Sequence, residues 1–315
     1  MENFEMPQFM GESCRPNIAD ILSSVVTKID HQQQSGSSEL PLTGVSTGFP
    51  EIDQLTLGLQ PGELILVAGR PGSGRYALAL RIVEHIAGTL GLPVVFHSLT
   101  NPIEEVGLRL LSSVSGVDSY RMRIGQLDDL EWKELSAGLA KLHNAPLAIE
   151  ANHRGDFESC IERTRQHAKH FGQPPGLIVI DDFQAFEFLG TQGGSGEARQ
   201  DALNRLRKLA VELAAPLMIL SQLDARIDRR PNLKPCLSDL PRSGNIEAVA
   251  DTILLLKRDY DYEFSHRQLG ESSSQCMVEI QIAKSRFDYF GRCRISLPTG
   301  AMSISLCWGT NAPCV

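Results

Sequence analysis

The sequence predicts an α/β fold: a doubly wound, mostly parallel sheet flanked by helices, with a short helix ahead of it. Three observations carry this reading. Short apolar runs such as "ELILVAG", "LPVVFHSL" and "GLIVIDDF" alternate with longer segments of helical periodicity. The runs are uninterrupted, as strands covered on both faces require, rather than alternating polar with apolar. A glycine-rich turn, "GRPGSG", joins one run directly to an amphipathic segment, which is how a strand hands over to a helix in a βα unit.

The elements follow in order. Residues 1–17 read as a disordered tail. "IADILSSVVTKID", 18–30, sets Ile18, Ile21, Leu22, Val25, Val26 and Ile29 on one stripe and predicts an amphipathic helix. "HQQQSGSSELP", 31–41, is polar and predicts a flexible linker, so helix and linker together fill 18–42. A short helix isolated in this way cannot bury its stripe alone and needs its own domain or a neighbouring subunit. The main domain runs from 43 to 306. Strand "ELILVAG" precedes a helix over 75–90; "LPVVFHSL" precedes helices over 102–115 and 128–142. "PLAIEA" leads to a helix over 156–171, and "GLIVIDDF" to a long helix over 197–214. "APLMILSQL" is a strand, "NIEAVADTILLLKRD" a short helix running into a strand, and "CMVEIQIAKSR" and "RCRISLP" a β pair. "GTQGGSGE", 190–197, predicts a mobile loop beyond a strand end, and 307–315 a tail.

Composition narrows the class. At 315 residues with 42% hydrophobic and 22% charged residues, the chain suits an ordinary globular protein. It has no run long and apolar enough for a membrane span and no basic-then-apolar leader, so a cytoplasmic protein is expected. Seven scattered cysteines without a C-x-x-C pair argue against a disulfide framework or zinc site and for a reducing compartment. The net charge of −8 speaks against a reader of duplex DNA, yet leaves room for local basic loops along a single strand.

Four features carry chemistry. In "LVAGRPGSGRYALAL" the residues Gly69, Arg70, Pro71, Gly72, Ser73, Gly74, Arg75 and Tyr76 trace a phosphate-binding loop of the form G-x-x-x-x-G-K-[ST]. Glycines let backbone N–H groups turn around phosphate oxygens, and the helix that follows points its positive end there. A plain strand-to-helix turn would also use these glycines. Asp181 closes the run "GLIVIDDF" at a strand tip, the place of an acid that orients Mg2+ and its water, with Asp182 expected to point the other way. Gln222, at the end of "LMILSQL", is placed to sense a γ-phosphate. Lys284 and Arg286, two apart in "QIAKSRFDYFG", can share a strand face and address one anion. Each of the last three, taken alone, equally suits a solvated strand end; their order and spacing together point to a nucleotide site.

Those segments, with "TGVSTGFPEIDQLTLGLQPGELILVAGRP", "IGQLDDLEW" and "SDLPRSGNIEAVAD", resemble the RecA-like motor domain of DnaB-type replicative DNA helicases over roughly residues 43–300. The helix at 18–30 resembles the linker helix that such proteins dock on an adjacent subunit. The resemblance implies a hexameric ring that binds ATP, Mg2+ and single-stranded DNA. In it, residues 69–76 would cradle the phosphates, Asp181 would support Mg2+, Gln222 would report on the γ-phosphate, and Lys284 and Arg286 would reach a neighbour's site. Loops near 187–197 and 238–245 would face DNA, with Arg242 and Gly244 as contacts. Three departures fall in the hydrolytic machinery. Arg75 stands at the lysine position, Tyr76 at the magnesium-binding hydroxyl, and Thr100, in "HSLTNP", at the position of the family's catalytic glutamate. In the DNA-facing loop "LPRSG", Pro241 stands where an arginine is expected and Arg242 where an acid is. Weak or absent hydrolysis is expected, with Mg2+ binding weakened by Tyr76. Two other readings stay open: an inactive homologue that assembles with a replicative helicase or a loader, and a RadA- or KaiC-like ATPase.

Overall fold

The computed structural model describes residues 17–34, 42–151, 156–186, 196–230, 233–241, 245–258, 275–287 and 289–298. It comprises two compact units, Met1–Thr43 and Gly44–Val315. In the first, α1 (Ile18–Gln34) runs past the predicted end at 30 into the segment read as linker. Its glutamines are good helix formers, so the helix persists through them. The Asn17 N–H donates to Asp20 at 3.2 Å and starts the helix. Ile18, Leu22, Val25, Val26 and Ile29 are exposed along one stripe.

Among the described residues of the second unit, eight strands form one sheet in the order β3-β2-β4-β5-β1-β6-β7-β8. They are β1 (Leu64–Gly69), β2 (Val94–Ser98), β3 (Leu147–Ala151), β4 (Leu177–Asp181), β5 (Leu217–Gln222), β6 (Thr252–Arg258), β7 (Gln275–Lys284) and β8 (Gly291–Pro298). β1 through β6 pair in parallel, and β7 and β8 add an antiparallel edge. This is the doubly wound, mostly parallel sheet that the uninterrupted apolar runs predict.

Helices cover both faces. They are α2 (Pro50–Thr56), α3 (Arg75–Glu84), α4 (Ile103–Ser115), α5 (Ser119–Ile124), α6 (Asp129–His143), α7 (Phe157–Phe171), α8 (Gly196–Glu212) and α9 (Ile246–Val249). Alternate residues of each strand feed two cores. Val67, Phe96, Val179 and Leu220 pack with Leu78 and Ile82 of α3 on one face. Leu66, Ile180 and Ile219 pack with Phe157 of α7 and Leu203 and Leu206 of α8 on the other. Each such side chain, fully buried, contributes about 1.5–3 kcal/mol. Together they fix the strand register, since a one-residue slip would exchange the two cores.

Two further elements differ from expectation. The helix predicted over 75–90 is α-helical only to Glu84 and closes in a single π-helical turn, His85–Thr89. Gly88 in that turn lowers helix propensity, and the stem of Lys141 packs against it as its ammonium reaches Glu84 at 3.0 Å. The stretch after 115 folds into a further helix, α5. Asp118 caps it by accepting from the N–H groups of Tyr120 and Arg121, and Gly125, at a φ of 69°, ends it.

Candidate functional site

Parallel pairing sets the strand carboxyl ends side by side. Gly69 of β1 stands opposite Gln222 of β5, and Ser98 of β2 opposite Asp181 of β4. The glycine loop, Asp181 and Gln222 therefore meet at one edge of the sheet, where ligands bind in such folds.

Gly72 and Gly74 adopt φ of 77° and 92°, a region closed to most side chains, and so the loop turns. At Gly69 a Cβ would lie 2.1 Å from Ser73 Oγ, so only glycine lets the loop close on Ser73. Ser73 is only 4% exposed, and its Oγ has no hydrogen-bond partner among the described residues. The first N–H groups of α3, which begins at Arg75, open onto the same space. A buried orphan hydroxyl beside free helix N–H donors is a cradle for phosphate oxygens.

Arg75 Nη1 donates to Gly69 O at 2.9 Å, and Nη2 pairs with Asp182 at 3.2 Å. The expectation that Asp182 turns away from its neighbour is corrected here. β4 ends at Asp181, so strand alternation stops, and both carboxylates lie in the field of Arg75. Asp182 also accepts from the Gln184 N–H at 3.2 Å. Among the described residues the Asp181 carboxylate accepts only from Asn101 Nδ2, at 3.3 Å. Burial, then the charge of Asp182, pushes Asp181 up to about 6 against the opposing pull of Arg75.

Tyr76 has turned inward. Its ring meets Phe96 of β2 edge-on at 6.1 Å, and the Arg109 guanidinium of α4 lies 5.0 Å over its centre. The phenol oxygen is buried without a hydrogen-bond partner among the described residues. Burial first, then the charge of Asp181, raises its pKa well above the ordinary value. Arg109 is itself held by Glu105 at 2.8 Å, and Glu105 also pairs with Arg123 at 2.5 Å. Glu104 and Glu105 open α4, as expected. Thr100 is exposed and accepts from Asn101 Nδ2 at 3.1 Å, so no carboxylate stands there.

Gln184, not singled out in the sequence, braces the edge. Its Nε2 donates to Ser221 Oγ at 2.7 Å and Gln222 O at 3.1 Å, while its Oε1 accepts from the Gln222 N–H at 3.3 Å. Arg109 was equally unmarked; its i,i+4 spacing from Glu105 was the available signal. Lys284 and Arg286 are not brought onto one strand face. β7 ends at Lys284, whose ammonium binds the Glu247, Ala248 and Ala250 carbonyls at the end of α9, whereas Arg286 is exposed in the turn beyond. Arg242, Gly244 and most of the 187–197 loop lie outside the described residues.

Beside the glycine loop is a cavity of about 250 Å³, lined by Arg70, Pro71, Ser73, Ile227, Leu233 and Leu256 among others. Arg70 forms one wall because Asp228 and Leu223 O hold it.

A family model described as "DnaB-like helicase C terminal domain" matches residues 44–303. The chain is 35% identical to the replicative DNA helicase DnaB of Leifsonia xyli subsp. xyli, over 80% of this chain and 55% of that one. It is 30% identical to the replicative DNA helicase DnaC of Bacillus subtilis (strain 168), over 90% of this chain and 60% of that one. It therefore spans a little over half the length of these relatives. Among solved structures, an ATPase domain superposes with a TM-score of 0.76 at 27% identity, over 89% of this chain and 95% of that one. A DnaB-like replicative helicase, solved to show its interactions with primase, superposes with a TM-score of 0.73 at 27% identity, over 90% of this chain and 65% of that one. With the glycine loop, the acid-tipped β4 and Gln222 gathered at one sheet edge, the fold is RecA-like, and the chain belongs to the DnaB-like helicase C-terminal domain family.

Proposed function

We propose that this chain is a ring-forming domain that binds ATP at the carboxyl edge of its sheet and single-stranded DNA nearby, in a replication-related role, with hydrolysis weak or lost. One observation carries the reading. The loop keeps the glycines a phosphate cradle needs, and Ser73 Oγ is buried with no partner among the described residues, while the groups expected to run the chemistry are exchanged at Arg75, Tyr76 and Thr100. The cavity against Pro71 and Leu256 offers apolar walls to a nucleobase within reach of the same loop. Losing a water-positioning or charge-stabilising group commonly costs about 10³-fold in phosphoryl transfer, so three exchanges leave little turnover. DNA would be held by its backbone, through loops that include Arg242 and Gly244, with little reading of sequence. Lys284 and Arg286 would serve a neighbouring subunit's site. The exposed stripe of α1 favours assembly and supports a second reading, an inactive partner of another replicative helicase or of a loader.

Equilibrium binding of ATP, measured beside turnover with and without single-stranded DNA, tests this. Binding with turnover near background is expected. An absence of nucleotide binding in the folded chain would overturn it. The triple variant Arg75→Lys, Tyr76→Thr, Thr100→Glu should raise turnover by at least about tenfold if the scaffold is otherwise competent. Molecular mass in solution reports on the ring, and removal of residues 1–40 should lower it.

A further inference from the structure

Magnesium in a phosphate loop needs compact oxygen donors on a near-octahedral frame about 2 Å from the ion. The residues at this edge supply a different set. A phenol replaces the short hydroxyl, and its ring is wedged between Phe96 and the Arg109 guanidinium. That guanidinium is mostly buried, with a side-chain exposure of 16%, and so is Arg75, at 17%. Two fixed positive charges thus stand within electrostatic reach of Asp181. They compete with a divalent cation for the carboxylates at the place where the resemblance expects one, Arg75 by pairing with Asp182. The donor set does not fit Mg2+.

The same set does fit an anion. Arg75 and Arg109 carry two positive charges between them, the charge of one magnesium ion. Their planar forks match phosphate oxygens. The buried hydroxyls of Ser73 and Tyr76, with no partner among the described residues, are two further donors. Opposing negative charge comes from Asp181, Asp182 and Glu105, of which Asp182 is already paired with Arg75 and Glu105 with Arg109 and Arg123. The three unusual residues then make sense as one unit. An arginine at 75, a tyrosine at 76 and the arginine stacked on that tyrosine form a cationic clamp.

Resting on the nucleotide site proposed above, we infer that this chain binds a nucleoside triphosphate without a divalent cation, Arg75 and Arg109 standing in for the metal's charge and the Tyr76 hydroxyl for one of its ligand contacts. A site of this kind holds its nucleotide as a structural ligand. It lacks the ion that would orient an attacking water.

Calorimetric titration of the full chain with ATP, once in magnesium buffer and once in excess EDTA, tests the inference. Wild-type affinity should change by less than about threefold between the two, a difference under about 0.7 kcal/mol. Arg109→Ala should weaken binding in EDTA by at least about tenfold, and Arg109→Lys, which keeps the charge, by less. Tyr76→Thr should acquire a magnesium dependence that the wild type lacks, and Tyr76→Phe, which keeps the ring, isolates the hydroxyl. Thermal melts of each variant separate lost binding from lost folding. A wild-type affinity that falls about tenfold or more in EDTA would overturn metal independence while leaving the nucleotide site standing. Equal EDTA affinity in wild type and a folded Arg109→Ala would overturn the clamp. An absence of heat with ATP in both buffers, confirmed by competition, would overturn the nucleotide site itself.

Discussion

At the amino edge of the sheet, Asp251 accepts from the Leu64 N–H at 3.0 Å and from Arg207 at 2.6 Å, and Glu63 accepts from Thr252 and the Gln60 N–H. At the carboxyl edge, Asp181 is as deeply buried and accepts one long bond from Asn101. Burial raises Glu63 as it raises Asp181, so depth does not separate them. Partners do. The acids at the amino edge tie the starts of β1 and β6 together and are satisfied by the chain itself. Asp181 faces an unlike neighbourhood: a second carboxylate, two guanidinium groups and the Tyr76 hydroxyl, which has no partner among the described residues. A buried acid that the fold satisfies supports structure, whereas one left underserved is a cost the fold carries for a ligand.

The sharpest way to break this contrast is Asp251→Ala. Asp251 is 6% exposed, and its loss strands a buried backbone donor at the first residue of β1. That alone costs about 1–3 kcal/mol. The ion pair adds less, because Arg207 is nearly half exposed. A destabilisation of about 3 kcal/mol is expected, read from the urea unfolding midpoint. A change below about 1 kcal/mol would show that the amino-edge acids are no more structural than Asp181.

His97 extends the contrast to a buried base. Thr164 donates its only proton to Cys160 O at 2.8 Å, so it must accept from His97 Nε2, which lies 2.7 Å away. Nε2 therefore carries a proton. Burial holds the imidazole down to about 4 from an ordinary 6.5. Between those values the unfolded chain binds the proton and the folded one does not, so stability is full above pH 6.5 and falls as pH drops toward 4. Lowering the pH from 7 to 5 should remove about 2 kcal/mol through this residue. His97→Gln, which keeps a donor toward Thr164, should flatten the pH profile by that amount. An unchanged profile would mean that the ring is protonated in the fold.

Much of this was legible beforehand, and the limits follow from the physics. The central strands β1, β2, β4, β5 and β6 were readable because strands covered on both faces are continuous apolar runs, β7 by its alternation, and the glycine loop because a left-handed turn demands glycine. Asp181 and Gln222 were readable as polar residues ending such runs. The site's cationic wall was not. Arg109 comes from a helix whose rotation is set by packing, and nothing in "EEVGLRLL" says that its guanidinium will lie on the ring of Tyr76. Alternation misplaced Asp182 because it holds only inside a strand, and β4 stops one residue short. It misplaced Arg286 for the same reason at the end of β7. Gln184 was missed because one side-chain amide bracing another strand's backbone leaves no periodic trace.

The smallest effect tests the other edge directly. Asp181→Asn keeps the shape of the side chain and its contact with Asn101 while removing a charge that is desolvated and set beside Asp182. Relief of those two costs outweighs the lost attraction to Arg75 and Arg109, because the folded chain resists ionisation of this carboxyl overall. The variant should therefore be more stable than wild type at neutral pH, by about 1 kcal/mol. The gain should appear in the urea midpoint with an unchanged slope, since no new surface is buried. It should grow when saturating ATP is present, because removing a carboxylate that opposes the anion lets bound ligand stabilise the variant more than the wild type. A variant less stable than wild type in the absence of nucleotide would place Asp181 with Asp251 as a structural acid. The distinction between the two edges would then have no energetic basis.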